Sequence, residues 1–99
     1  MDTSAIIGKL REHEAELKAS GVEHLSLFGS YARGTAVPAV SDVDLLADFD
    51  RAKRLTLFSL SGLRLQIMDI LNMPVDLADR RMLKEQIKAR AEREAVPVF

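Results

Sequence analysis

The chain contains no cysteine. That removes disulfides, thiol nucleophiles and cysteine-ligated zinc from consideration, and it fits a reducing cytoplasm. No apolar run is long enough to span a membrane, and Met1-Asp2-Thr3-Ser4 opens the chain without the basic region and apolar stretch of a secretory leader. Neither sign of charge dominates: 14 Lys and Arg stand against 15 Asp and Glu, a formal net charge of −1. A protein that grips a phosphate backbone usually carries a basic footprint, so nucleic acid is not the expected main partner. Repeats and low-complexity tracts are also missing, and His13 and His24 lack metal-ligand spacing and are expected at the surface. The content that remains, 47% hydrophobic and 29% charged over 99 residues, is that of a soluble globular protein. Residues 1–99 are expected to form one domain, with a core that removes somewhat over about 60% of the unfolded surface from water.

Hydrophobic periodicity predicts the order αβαβαβα, with a very short second helix. Thr3 or Ser4 is the expected cap of a helix carrying Ile6, Ile7, Leu10 and Leu17, which runs to Ser20-Gly21. Val22, Leu25, Leu27 and Phe28 read as a first strand, and Val43, Leu45, Leu46, Ala47 and Phe49 as a second, with a polar exit Asp50-Arg51-Ala52-Lys53-Arg54. Leu60, Leu63, Ile67, Ile70 and Leu71 have helical spacing between Thr56 and the stop at Asn72 and Pro74. A third strand over 74–78 leads through Asp79 into a last helix with Met82, Leu83, Ile87 and Ala91 facing inward. Met68, Met73 and Met82 are expected core fillers. Six cations, Arg80, Arg81, Lys84, Lys88, Arg90 and Arg93, make that helix basic, with Glu85, Glu92 and Glu94 between them; a solvated face explains this better than a nucleic-acid patch, and a docking surface for an acidic partner lies between the two.

The chemistry concentrates at two places in the first half of the chain. Gly29 and Ser30 follow the first strand directly, and Asp42 and Asp44 bracket the start of the second. A residue without Cβ lets backbone approach a ligand, and the Ser hydroxyl and following N–H groups suit phosphate, helped by the positive end of a short helical turn over 30–33. On a strand Asp42 and Asp44 share a face, so both can reach one Mg²⁺, which takes one or two carboxylates and leaves the rest of its shell to phosphates and water. Asp76, in Pro74-Val75-Asp76-Leu77-Ala78, is the expected third acid, either as a second-metal ligand or as the base for an acceptor hydroxyl. Asp48 and Asp50 are weaker candidates. Arg33 either grips a phosphate or ties down the loop, and Tyr31 either stacks on a base or packs beside the turn.

Gly29-Ser30-x-Ala32-Arg33-Gly34, Ser41-Asp42-x-Asp44-Leu45 and Val75-Asp76-Leu77 together resemble the minimal nucleotidyltransferase domain of the polymerase-β-like superfamily. The resemblance covers most of the chain and is strongest to the antitoxin halves of HEPN/minimal-nucleotidyltransferase toxin-antitoxin pairs. It implies an α/β fold of the α+β kind, a small mixed sheet of three or four strands with helices packed on it. It also implies a nucleotide-binding set of Gly29, Ser30, Arg33 and Ser41, and a catalytic and metal set of Asp42, Asp44 and Asp76. Two Mg²⁺ ions with bound nucleotide, and ATP as the substrate, belong to the same expectation. The implied reaction moves AMP from ATP to a hydroxyl, in this subgroup a tyrosine of a HEPN ribonuclease toxin, which is silenced in a hetero-oligomer. One departure is the loop between Ser30 and Asp42, eleven residues where about ten are usual, with the extra residue in the apolar Val37-Pro38-Ala39-Val40. Two rival readings are an antitoxin that inhibits by contact alone and a small-molecule nucleotidyltransferase; the second is disfavoured by the lack of an acceptor-binding domain. A toxin reading frame beside the gene separates the antitoxin readings from the other.

Overall fold

A computed structural model of the chain describes residues 1–53 and 55–99, so Arg54, the end of the expected polar exit, lies outside the described residues. Asp2, rather than Thr3 or Ser4, caps the first helix: its carboxylate accepts the Ala5 N–H at 2.8 Å. The Thr3 hydroxyl donates instead to the Tyr31 carbonyl at 2.6 Å, which ties the helix start to the turn after the first strand. The expected single helix is two, α1 (Thr3–Glu12) and α2 (Glu14–Ala19). The break has a local cause. The His13 ring Nδ1 lies 2.9 Å from the Lys9 carbonyl, so the side chain takes the acceptor that the His13 N–H would use in a continuous helix, and that N–H turns to Leu10.

Strand β1 (Val22–Phe28) pairs antiparallel with β2 (Val43–Phe49), and β2 pairs parallel with β3 (Val75–Asp79). The parallel pair is joined by α4 (Leu57–Leu71), which Thr56 caps through the Ser59 N–H and Asn72 ends in the left-handed region at φ 52°. The third strand starts one residue later than expected because Pro74 has no N–H for the ladder; its carbonyl still accepts the Val43 N–H at 3.0 Å. A two-residue β4 (Val96–Pro97) adds an antiparallel edge to β1, so the sheet has four strands in the order β3-β2-β1-β4.

Cross-strand partners point to the same side of a sheet, and the register puts Leu25, Leu27, Val43, Leu45, Ala47, Val75 and Leu77 together on one face. These form one cluster with Ile6, Leu10 and Leu17 from α1 and α2 and Leu63, Ile67 and Leu71 from α4. Met68 and Met73 pack against this cluster as expected, but Met82 does not: it is 80% exposed. Residues Arg80–Met82 form a 3-10 turn, started by the Asp79 carboxylate accepting the Arg81 N–H at 3.0 Å, and the last helix, α5 (Glu85–Glu94), begins only after it. That delay changes the phase of the helix. Ala91 is buried, Leu83 is half-buried, and Ile87, expected inward, is exposed.

Candidate active site

The sheet face away from the main core carries the polar residues. Asp44 lies beside Phe28 on β1 and beside Asp76 on β3, in register on strands about 4.8 Å apart. Asp42 sits just ahead of β2, close enough for its charge to act on Asp44. The Asp44 carboxyl is held above its ordinary range, first because it is partly buried and then because Asp76 and Asp42 repel its charge; Arg33 opposes the shift. Three carboxylates within electrostatic reach of one another form a local excess of negative charge that a cation would relieve.

Gly29 opens the short helix α3 (Gly29–Arg33) with φ 75°, a conformation that other residues adopt only with strain. Space gives a second reason for glycine. A Cβ here would collide with the Asp44 carboxylate oxygen and lie 3.1 Å from its Cγ. The β1–α3 backbone is therefore packed directly on the central carboxylate. Ser30 follows, half-buried, its carbonyl accepting the Thr35 N–H at 2.9 Å; among the described residues its hydroxyl makes no hydrogen bond and is free for a ligand.

The other expected site residues have structural duties. Ser41 lies in the same region, but its hydroxyl accepts the Val37 N–H at 2.9 Å and closes the longer loop, where Ala39 takes φ 65°. Arg33 pairs with Glu94 at 3.4 Å, linking α3 to the end of α5. Tyr31 is 4% exposed and packs in the core beside the turn. Asp48 is drawn away from the carboxylate group to Arg80, whose Nε lies 3.4 Å from it and whose Nη2 donates to the buried Ser26 hydroxyl at 3.2 Å. The Arg80 Nε is buried without an aligned acceptor, so the contact with Asp48 is an electrostatic one rather than a good hydrogen bond. Asp50 accepts the Ala52 N–H and belongs to the turn after β2.

Two cavities flank the acids. One of about 220 Å³ is walled by Phe28, Asp44, Leu46, Asp76, Ala78 and Leu83. The other, about 480 Å³, lies between the 38–42 loop and the α4–β3 turn, with Asp42, Val40, Asn72, Met73 and Tyr31 on its walls. Its volume is in the range of small-molecule sites. Phe28, Leu83, Asn72 and Met73 were not expected to line the site; apolar and turn residues carry no sign of such a role in a sequence. Among the described residues no three His, Asp or Glu side chains converge closely enough to hold an ion as they stand. Mg²⁺ does not require that, since substrate phosphates supply part of its shell, and the oxygen-only donor set of Asp42, Asp44 and Asp76 fits it.

The family profile of the nucleotidyltransferase domain matches residues 9–97, which takes in the Gly-Ser turn and all three acids. The chain belongs to the nucleotidyltransferase family. Among its relatives, the protein adenylyltransferase MntA of Thermococcus cleftensis is 38% identical over 90 residues, 90% of this chain and 88% of that protein. A structure described as that of a minimal nucleotidyltransferase superposes with a TM-score of 0.82 at 29% identity, covering 98% of this chain and 96% of the other. The MNT antitoxin fold seen with the tri-AMPylated HEPN toxin of Shewanella oneidensis is also similar, with a TM-score of 0.68, 18% identity and coverage of 98% and 71%. At that identity the likeness is one of fold. This nucleotidyltransferase thus has the mixed four-stranded sheet of the minimal enzymes, and among its described residues no helix is long and apolar enough to cross a membrane.

Proposed function

We propose that this nucleotidyltransferase transfers AMP from ATP to a hydroxyl, a tyrosine hydroxyl in the reading favoured here, of a cognate HEPN ribonuclease toxin in the cytoplasm. It would act as the antitoxin, with residues 1–99 as a single catalytic domain in a hetero-oligomer. The observation that carries the reading is the in-register pair Asp44 and Asp76, with Asp42 beside it and the Gly29 backbone packed on Asp44. The named activity of the MntA relative and the toxin bound in the Shewanella structure support the choice of acceptor.

The residues divide the work between two ends of the nucleotide. Backbone N–H groups after Gly29 and the Ser30 hydroxyl orient the terminal phosphates, with Arg33 available to them if it leaves Glu94. Mg²⁺, held by Asp42 and Asp44 with Asp76 in reach of a second ion, would neutralise the charge on the phosphates. The acceptor oxygen forms a bond to the α-phosphorus as the bond to the bridging oxygen breaks, and pyrophosphate leaves with that electron pair. Asp76, exposed at the cavity wall, takes the acceptor proton.

The test uses the purified nucleotidyltransferase and its cognate HEPN protein, sought as the reading frame beside its gene. Ribonuclease activity should fall only when ATP and Mg²⁺ are both present, and the inhibited toxin should carry adenylyl groups. Inhibition that persists undiminished without nucleotide, and with Asp42→Asn and Asp44→Asn combined, would show that contact alone silences the toxin.

A further inference from the structure

The sheet face that carries the acids is not polar throughout. Leu46 lies on it, two residues from Asp44 and in register with Ser26 and Ala78, and it is 2% exposed although it stands apart from the main apolar cluster. Its cover comes from the chain after β3. Arg80 reaches across β2 to the Asp48 carboxylate and the Ser26 hydroxyl, and its carbonyl accepts the Leu83 N–H at 3.3 Å, so the anchored 3-10 turn fixes the start of the segment that holds Leu83. What stays open is the cavity of about 220 Å³ beside the acids. The sheet supplies Leu46, Ala78 and Phe28 to it, Leu83 is the wall that does not belong to the sheet, and Asp44 and Asp76 stand in the row next to Leu46 and Ala78. Apolar walls thus meet two carboxylates at one end.

We propose that this slot selects the acceptor: it takes the ring of a phenol, with the hydroxyl at Asp76, and excludes aliphatic hydroxyls. The inference rests on the reading that a hydroxyl attacks the nucleotide beside these acids, and it makes Phe28 and Leu83 specificity-determining residues. Size decides first. About 220 Å³ is below the range of roughly 300–1,000 Å³ usual for whole small molecules, so a nucleotide does not fit, whereas one aromatic side chain does. Shape and polarity agree. Leu46 stands about 6.6 Å from Asp44 along β2, so a ring lying on Leu46 and Ala78, packed against Phe28, carries its hydroxyl to the acids. A serine or threonine hydroxyl lies too close to its own backbone for this. To reach Asp76 through the slot it would draw peptide N–H and C=O groups between Leu46, Phe28 and Leu83, whose side chains offer them no partner. In the slot the phenolic oxygen bonds to the α-phosphorus as pyrophosphate leaves with the electron pair of the bridging bond, and the phenolic proton passes to Asp76.

The test titrates N-acetyltyrosinamide into the full chain with Mg²⁺ and a non-hydrolysable ATP analogue. It should bind saturably and shift the methyl NMR signals of Leu46, Ala78 and Leu83, and N-acetylserinamide should not. Leu83→Trp, which fills the slot, and Leu83→Ala, which removes one wall, should each weaken N-acetyltyrosinamide at least about tenfold while ATP affinity stays at the wild-type value. A melting temperature near that of the wild type identifies the folded variants. With the cognate HEPN protein as acceptor, Leu83→Trp should lower kcat/KM for transfer by at least about the same factor, and mass spectrometry should place the adenylyl group on tyrosine. The proposal is overturned if N-acetyltyrosinamide fails to bind the wild type, binds either folded variant undiminished, or is matched by N-acetylserinamide. Loss of ATP affinity in the folded variants would overturn it too, by assigning the slot to the nucleotide. A wild type that binds N-acetyltyrosinamide in this way but transfers no AMP to the HEPN protein would defeat the proposed reaction and leave the slot standing. Transfer of AMP to a serine or threonine of that protein would do the reverse.

Discussion

Asp44 is stabilised as the acid and destabilised as the anion by its surroundings. Its folded-state pKa is raised above the ordinary 3.8, so the native chain binds the proton more tightly than the unfolded chain does. Stability linked to this group therefore falls as pH rises through the raised value, and at neutral pH ionised Asp44 weakens the metal-free fold. Asp44→Asn should raise the melting temperature at pH 7 in metal-free buffer. The gain should vanish below about pH 3.8, where both states are protonated. The same variant should lose at least about 100-fold in transfer rate, since the reaction depends on stabilising phosphate charge. A variant both more stable and inactive is the expected signature, and a drop in melting temperature would contradict the electrostatic account. Asp76→Asn should leave ATP affinity largely intact in a calorimetric titration while slowing transfer; loss of affinity with a normal rate per bound complex would make Asp76 a positioning ligand. Gly29→Ala combines strain at φ 75° with displacement of Asp44, and it should cost about 1–3 kcal/mol in denaturant melts as well as transfer activity. The Asp pair and the Gly-Ser turn were legible in the sequence because their spacing is local. Arg80 spanning Ser26 and Asp48 was not, since Ser26 and Arg80 are 54 residues apart and neither position is unusual by itself.

Among the elements, the three main strands and α4 follow directly from apolar periodicity and from stops at Asn72 and Pro74. The errors fall where side chains capture backbone groups. His13 breaks the first helix by taking the Lys9 carbonyl, and Asp79 starts a 3-10 turn by accepting the Arg81 N–H, which delays α5 and leaves Met82 and Ile87 outside. Such bonds compete with helix in ways that periodicity does not register. The edge strand β4 is too short to show a pattern, yet it brings the chain back so that Arg11 donates to the Val98 carbonyl at 2.7 Å and the Val98 side chain, 1% exposed, joins the core. Val98→Ala should lower stability by about 1–3 kcal/mol, from two lost methyl groups and the partial cavity they leave. A chemical melt decides it, and an unchanged midpoint would show that this edge contributes little.

Across the whole molecule, the carboxylates Asp44 and Asp76 lie at one end of the sheet face away from the main core, and Arg80 covers the same face further along, over Ser26 and Asp48. In the proposed reading the acids and the Gly29-Ser30 turn take the nucleotide's phosphates, and a partner protein brings the acceptor hydroxyl. The nearly balanced charge of −1 gives no general attraction for polyanions, so selectivity has to come from particular patches. What remains most consequential is which phosphorus is attacked. ATP labelled at the α-phosphate and ATP labelled at the γ-phosphate should be offered separately to the nucleotidyltransferase with Mg²⁺ and the HEPN protein. The α-label should appear on the HEPN protein and the γ-label in released pyrophosphate, and chelation or the combined Asp42→Asn and Asp44→Asn variant should abolish labelling. Label from the γ-phosphate on the acceptor, or α-labelling that survives loss of both aspartates, would contradict the assignment of this site.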